Sequence, residues 1–110
     1  MTFPTDADPT DAELAVAAAA GDPHALAAIY DRYADRLHDF CIGMLRDREA
    51  AADCVQDTFC TAAARLTQLR EPERLRSWLY AVARNETLRR LRARHRERPV
   101  DAVPEVASPD

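Results

Sequence analysis

The chain has no lysine; all fifteen of its basic residues are arginines. It has only two glycines, Gly21 and Gly43, far apart, so no glycine-rich loop exists to cradle a nucleotide phosphate. Aromatic side chains make up 6% of the residues, and no stretch alternates β-branched and aromatic side chains as a strand would. No segment approaches the ~18 apolar residues of a membrane span. The acidic N-terminus is unlike a signal peptide. The three cysteines, Cys41, Cys54 and Cys60, are odd in number and form no CxxC pair, which argues against a disulfide framework and for a reducing, cytoplasmic setting. The histidines, His24, His38 and His95, are scattered, and no Ser-His-Asp or Cys-His grouping can be assembled from spacing. No catalytic residue, cofactor or membrane partner is therefore expected, and the chain is not read as an enzyme.

The apolar 47% of the chain is mostly Ala and Leu. Such residues favour helix because they lose little or no side-chain entropy there. The net charge of −4 conceals a sharp split. Residues 1–64 carry 4 Arg against 12 acids, residues 65–98 carry 11 Arg against 4 acids, and residues 99–110 add three acids. Two binding surfaces of opposite sign would explain this division, as would two solvated faces that partly neutralise each other.

Local signals divide the chain into helices. Residues 1–10, with two prolines and two aspartates, are expected to be disordered. Asp11 caps a short helix over Ala12–Ala20, which Gly21 stops. Asp22-Pro23 pairs an N-cap aspartate with proline at the first helical position and opens a second helix to about Leu45. Asp47 caps a third helix, about Arg48–Leu66. After a loop over Thr67–Glu71, Pro72 begins a fourth helix reaching roughly Arg96. The expected fold is all-α: a small helical bundle of three long helices plus a short N-terminal one, spanning residues 11–98, with 99–110 an acidic, proline-containing linker or tail.

The fourth helix carries the densest chemistry. At about 100° per residue, Trp78, Asn85, Arg89, Arg92 and Arg96 fall within roughly 60° of one another. Guanidinium groups bind phosphate bidentately, an amide can read a base edge, and an aromatic face can stack on an unpaired base. Arg76, Arg84, Arg90, Arg94 and Arg98 add positive field around this stripe. Trp78 reads equally as a core residue beside Leu75, Leu79 and Val82. On the third helix Asp53, Gln56 and Asp57 stand at i, i+3 and i+4, where they serve either the helix N-terminus or a basic partner. His38 at i, i+3 from Cys41, with Cys54 and Cys60, has the residue types of a tetrahedral zinc site, although cysteines on Ala-rich helices are more often small core residues.

In order, these segments resemble region 2 of extracytoplasmic-function (ECF) sigma factors of the sigma-70 family. Ala25–Tyr33 (ALAAIYDRY) with Leu37–Leu45 resembles the opening helix. Asp53–Phe59 (DCVQDTF) resembles the signature D-x-V-Q-E-x-F, and Ser77–Asn85 (SWLYAVARN) resembles W-L-Y-x-I-A-R-N. The resemblance covers about residues 11–98 and implies a sigma region 2-like bundle. It implies that Asp53, Gln56 and Asp57 dock on the β′ clamp helices of core RNA polymerase. It implies that the loop around Gln68–Arg76 captures a flipped base of the −10 promoter element, and that Trp78, Arg84 and Asn85 belong to the strand-separating, base-recognising helix. Arg76, Arg89, Arg92 and Arg96 would hold the non-template strand. An anti-sigma factor is a further implied partner.

Two positions depart from the pattern. Arg89 stands where an acidic residue is often found after A-R-N, and Asp57 replaces the usual Glu. Nothing corresponds to the C-terminal helix-turn-helix domain of full members, as expected of an excised piece or a naturally short protein. The competing expectation is an interaction bundle that titrates an anti-sigma factor or polymerase without reading DNA.

Overall fold

A computed structural model describes residues 8–97. The expectations for residues 1–7, Arg98 and the tail 99–110 lie outside the described residues. Four α-helices follow one another: α1 (Asp11–Ala19), α2 (Pro23–Leu45), α3 (Arg48–Arg65) and α4 (Leu75–Glu97), with short 3-10 turns at Leu66–Gln68 and Pro72–Arg74. Among the described residues there is no strand, so the all-α bundle of three long helices and one short one is what forms. No described helix is long and apolar enough to cross a membrane.

Helix α1 begins one residue earlier than expected. Thr10, not Asp11, is its N-cap. The Thr10 hydroxyl accepts from the Glu13 N–H at 3.1 Å, and the Glu13 carboxylate accepts from the Thr10 N–H at 2.8 Å. This capping box satisfies two helix-end donors and leaves Asp11 for another task. The Asp11 carboxylate accepts from Arg32 at 2.9 Å and from the Tyr33 hydroxyl, while Arg32 also donates to the Pro9 carbonyl at 2.8 Å. Both arginine and tyrosine belong to α2, so the contact fastens α1 to it.

The remaining boundaries follow local chemistry. Gly21 takes φ 101°, a left-handed conformation open to glycine at little cost. The N–H groups of Gly21 and Asp22 then reach back to the carbonyls of Ala18 and Ala17, both at 3.0 Å, closing a Schellman motif. Asp22 accepts from the His24 N–H at 2.9 Å ahead of Pro23. Helix α2 ends at Arg46, also left-handed at φ 56°. Asp47 then accepts from the N–H groups of Glu49 and Ala50 at 3.0 Å each and starts α3. The chain tightens into a 3-10 turn at Leu66, where α3 was expected to end. Pro72 opens a second 3-10 turn, which moves the start of α4 to Leu75.

Helix α2 packs against all three other helices. Its buried positions Ala25, Ile29, Tyr33, Leu37, Cys41 and Leu45 recur every fourth residue and form the spine of the core. Leu14 from α1, Cys54 from α3 and Leu75 and Leu79 from α4 are completely buried around it. Burying one such leucine is worth about 1.5–3 kcal/mol, so this layer dominates the favourable side of folding. Two aromatic pairs key the helices together at the edges: Tyr30 of α2 with Phe59 of α3 (centroids 4.8 Å apart), and Phe40 of α2 edge-on to Tyr80 of α4 (5.5 Å).

Candidate nucleic-acid and protein interfaces

Helix α4 buries Leu75, Leu79, Ala83, Glu86 and Thr87 against the bundle. At about 100° per residue, the stripe from Trp78 to Arg96 points roughly a third of a turn away from that face. Asn85, Arg89, Arg92 and Arg96 are all exposed, and Trp78 is half-buried against the core edge. Trp78 therefore combines the two readings of its sequence: one side packs and part of the indole remains accessible. Arg84 is exposed but lies about a third of a turn off the stripe. Arg76 is exposed elsewhere, with its guanidinium 5.9 Å from the centre of the Tyr80 ring. Five of the seven expected DNA-binding residues share one surface; Arg84 lies about a third of a turn from it, and Arg76 lies on nearly the opposite side of the helix.

The arginines of α4 are not equally free. Arg89 donates to both carboxylate oxygens of Glu86, at 3.1 and 3.2 Å. Glu86 is only 8% exposed, and it also accepts from the Thr61 hydroxyl of α3 at 3.4 Å. A buried carboxylate needs such partners to be tolerated. Glu86 was missed at the sequence level, because an acidic residue was sought at position 89. The signal was nonetheless present: Glu86 and Arg89 are i, i+3, a spacing at which helix side chains meet.

Arg90 and Arg94 turn inward and act as ties rather than as diffuse positive field. Arg90 pairs with Asp57 of α3. Burial pushes the Arg90 guanidinium toward its neutral form, but the hydrogen bond and charge of Asp57 outweigh it and hold its titration above the usual arginine range. Arg94 donates to the Leu45 carbonyl at 2.9 Å and lies 3.7 Å from the Asp47 carboxylate, closing the end of α2 and the cap of α3 together. Among the described residues Arg84, Arg92 and Arg96 have no carboxylate partner, so their charge is open to a ligand.

On α3, Asp53, Gln56 and Asp57 are exposed on the side away from the core residues Cys54, Val55, Thr58 and Phe59. Asp53 and Gln56 face solvent, whereas Asp57 at the edge of the patch is engaged by Arg90. Cys60 is exposed on the same face, one turn beyond Gln56, and was not singled out for this surface from the sequence. Between the two helices lies a recess of about 240 Å³ lined by Asp57, Glu86, Arg89, Arg90, Arg92 and Arg96.

The four residues weighed for zinc do not converge. Cys41 and Cys54 are fully buried where α2 meets α3, Cys60 is on the surface, and the His38 ring lies 3.3 Å from the Arg48 carbonyl. No group of three or more His, Cys, Asp or Glu side chains is placed to hold a metal ion among the described residues. A hydrogen bond from thiol to thiol and burial push Cys41 well above the usual thiol range.

Comparison with known proteins identifies the family. The sigma-70 region 2 family matches residues 29–97. The chain is 32% identical over 82 residues to the ECF RNA polymerase sigma factor SigW of Bacillus subtilis, covering 74% of the chain and 44% of that protein. It is 33% identical over 100 residues to the ECF RNA polymerase sigma factor SigM of Mycobacterium tuberculosis, covering 89% of the chain and 51% of that protein. The chain thus spans about half the length of the curated relatives it matches. No solved structure gives a significant match.

Proposed function

The chain belongs to the sigma-70 family through its region 2, in the extracytoplasmic-function branch, and from that premise we propose that it docks on core RNA polymerase through α3 and engages the −10 promoter element through α4. The observation that carries this reading is the exposed row of Asn85, Arg92 and Arg96 beside a half-buried Trp78. Arg92 and Arg96 hold the phosphate backbone, which supplies affinity but no sequence information. Asn85 and the accessible part of Trp78 meet bases of the non-template strand, by a base-edge hydrogen bond and by stacking. Stacking on an aromatic side chain is worth about 1–3 kcal/mol per base, comparable with the few kcal/mol needed to take a base out of the duplex.

The segment Gln68–Arg76 leads straight into the row and is largely exposed at Gln68, Arg70, Glu71, Glu73 and Arg74, where an unstacked base has access. The clamp helices of β′ meet Asp53 and Gln56, with Asp57 at the margin. An anti-sigma factor is a further partner in this reading, since its binding would mask one or both faces.

The test is capture of purified core RNA polymerase, or of its isolated β′ clamp helices, by the chain and by a variant carrying Asp53→Arg and Gln56→Ala. Binding that the variant loses supports docking through α3. Failure of both folded proteins to bind overturns it and favours the bundle that titrates another protein.

A further inference from the structure

We propose that Arg90 is an additional phosphate-contacting residue, held in reserve by Asp57 until a basic partner takes that carboxylate. The inference rests on the assignment of α3 to docking and α4 to DNA. Asp57 sits on the margin of the α3 patch, and its side chain is 53% exposed, so an approaching cation can reach it. The guanidinium it holds lines the recess that Arg89, Arg92 and Arg96 also line. The Arg90 Nε is buried and has no hydrogen-bond acceptor among the described residues, so Asp57 satisfies this guanidinium only in part. At about 240 Å³ the recess has room for a phosphodiester group with several waters, each of which occupies about 30 Å³ in the liquid.

In the free domain the four arginines of the recess face two carboxylates, Asp57 and Glu86. Glu86 is fixed from below by Thr61 and Arg89 and stays in place. Asp57 is the exchangeable one. When a basic docking surface draws it away, Arg90 gains a free face toward the recess and the balance there shifts toward anion binding. Linkage makes the effect mutual: a phosphate that occupies Arg90 releases Asp57 for docking. The same ion pair that ties α3 to α4 then couples polymerase binding to DNA binding.

The experiment measures binding of a short labelled single-stranded oligonucleotide to the full chain by fluorescence anisotropy across a range of salt. Asp57→Asn imitates withdrawal of the carboxylate, and Asp53→Asn removes the same charge one turn away without releasing Arg90. Far-UV circular dichroism verifies folding, and Asp57→Ser replaces the Asn variant if that one does not fold. Asp57→Asn is expected to tighten binding about fivefold or more, the usual lower range of coupling between sites. Its log–log salt dependence should be steeper by about 0.7, the increment for one more phosphate contact on a single strand. Adding Arg90→Gln should abolish both gains. Equal tightening by Asp57→Asn and Asp53→Asn, or a gain that survives Arg90→Gln, overturns the reserve role while leaving the DNA assignment standing. Absence of binding by every folded variant overturns the DNA assignment and this proposal with it.

Discussion

The hydroxyl of Tyr33 donates a hydrogen bond to Oδ2 of Asp11, twenty-two residues earlier in the chain. Tyr33 is buried in the spine of α2, and Asp11 is free to accept because Thr10 has taken over the capping of α1. The burial of Tyr33, together with the hydrogen bond and the charge of Asp11, pushes its titration from 10.0 up to about 12, against the opposing pull of Arg32 and Arg36. Burial and Asp11 favour the protonated phenol in the folded state and outweigh the two arginines, which favour the phenolate.

Stability should accordingly fall at high pH. A phenol whose folded pKa is raised contributes stability that is fully present below its unfolded pKa and lost as pH rises through the folded value. The window here runs from about 10 to about 12. Thermal unfolding is expected to show a Tm that declines above pH 10, with a total loss of roughly 2–3 kcal/mol at about 1.4 kcal/mol per unit. Tyr33→Phe, less stable at neutral pH, should lose this alkaline decline; an unchanged decline would show that another group titrates.

The cysteines should separate by reactivity. Cys60 is exposed on α3, whereas Cys41 and Cys54 are completely buried, and Cys41 is held as a thiol by its neighbour and by burial. A chromogenic disulfide reagent is expected to titrate one thiol in the native protein and all three in denaturant. A bulky maleimide on Cys60 should then hinder capture of core polymerase, because Cys60 lies one turn from Gln56. Rapid native reaction of more than one thiol would contradict the buried placement.

The stripe on α4 predicts a division of labour. Asn85→Ala is expected to cost about 1–3 kcal/mol in binding the preferred promoter strand and little on an unrelated strand, as for a base contact. Arg92→Ala should weaken both about equally and reduce the salt slope, as for a phosphate contact. Polymerase capture should survive either change. Loss of capture with Asn85→Ala would show that α4 is not separate from the docking surface.

The end of α2 carries a removable cost. Arg46 is a non-glycine residue at φ 56°, and the left-handed region is unfavourable by roughly 1–2 kcal/mol for a side-chain-bearing residue. Arg46→Gly is expected to raise stability by about 1 kcal/mol after glycine's greater freedom in the unfolded chain is offset. Denaturant unfolding with an unchanged m-value would measure it, and a loss of stability would mean that the arginine side chain makes a contact worth more than the strain.

The fold was readable where structure depends on near neighbours. Gly21, Asp22-Pro23 and Asp47 stop and start helices by contacts within five residues, and all three act as expected. Thr10 and Asp11 are adjacent residues that can each cap a helix, and only the Glu13 three residues after Thr10 discriminates between them. The row on α4 was legible because helical periodicity decides which side chains share a side. What periodicity cannot say is where the neighbouring helices cross. Arg90 meets Asp57 across thirty-three residues and Arg94 meets the Leu45 carbonyl across forty-nine, and these distant contacts decide which arginines are available. From the sequence Arg89, Arg92 and Arg96 stand out as a stripe and Arg90 and Arg94 read only as added positive field, with no sign that these two are tied to α3 and the end of α2.

Beyond Thr87, α4 has no buried residue; what fastens it is half-buried Leu91 together with the ties of Arg90 and Arg94. Its first half is therefore held by apolar packing and its second half largely by electrostatics. Dissolved salt screens charge pairs while leaving apolar packing in place or strengthening it. Amide hydrogen exchange along the helix should respond unevenly: rising ionic strength would speed opening of the turns that bear Arg92 and Arg96 and leave the turns around Leu79 and Ala83 slow. Ionic strength then acts on this surface twice, once by weakening its attraction for a charged strand and again by loosening the scaffold that presents the arginines.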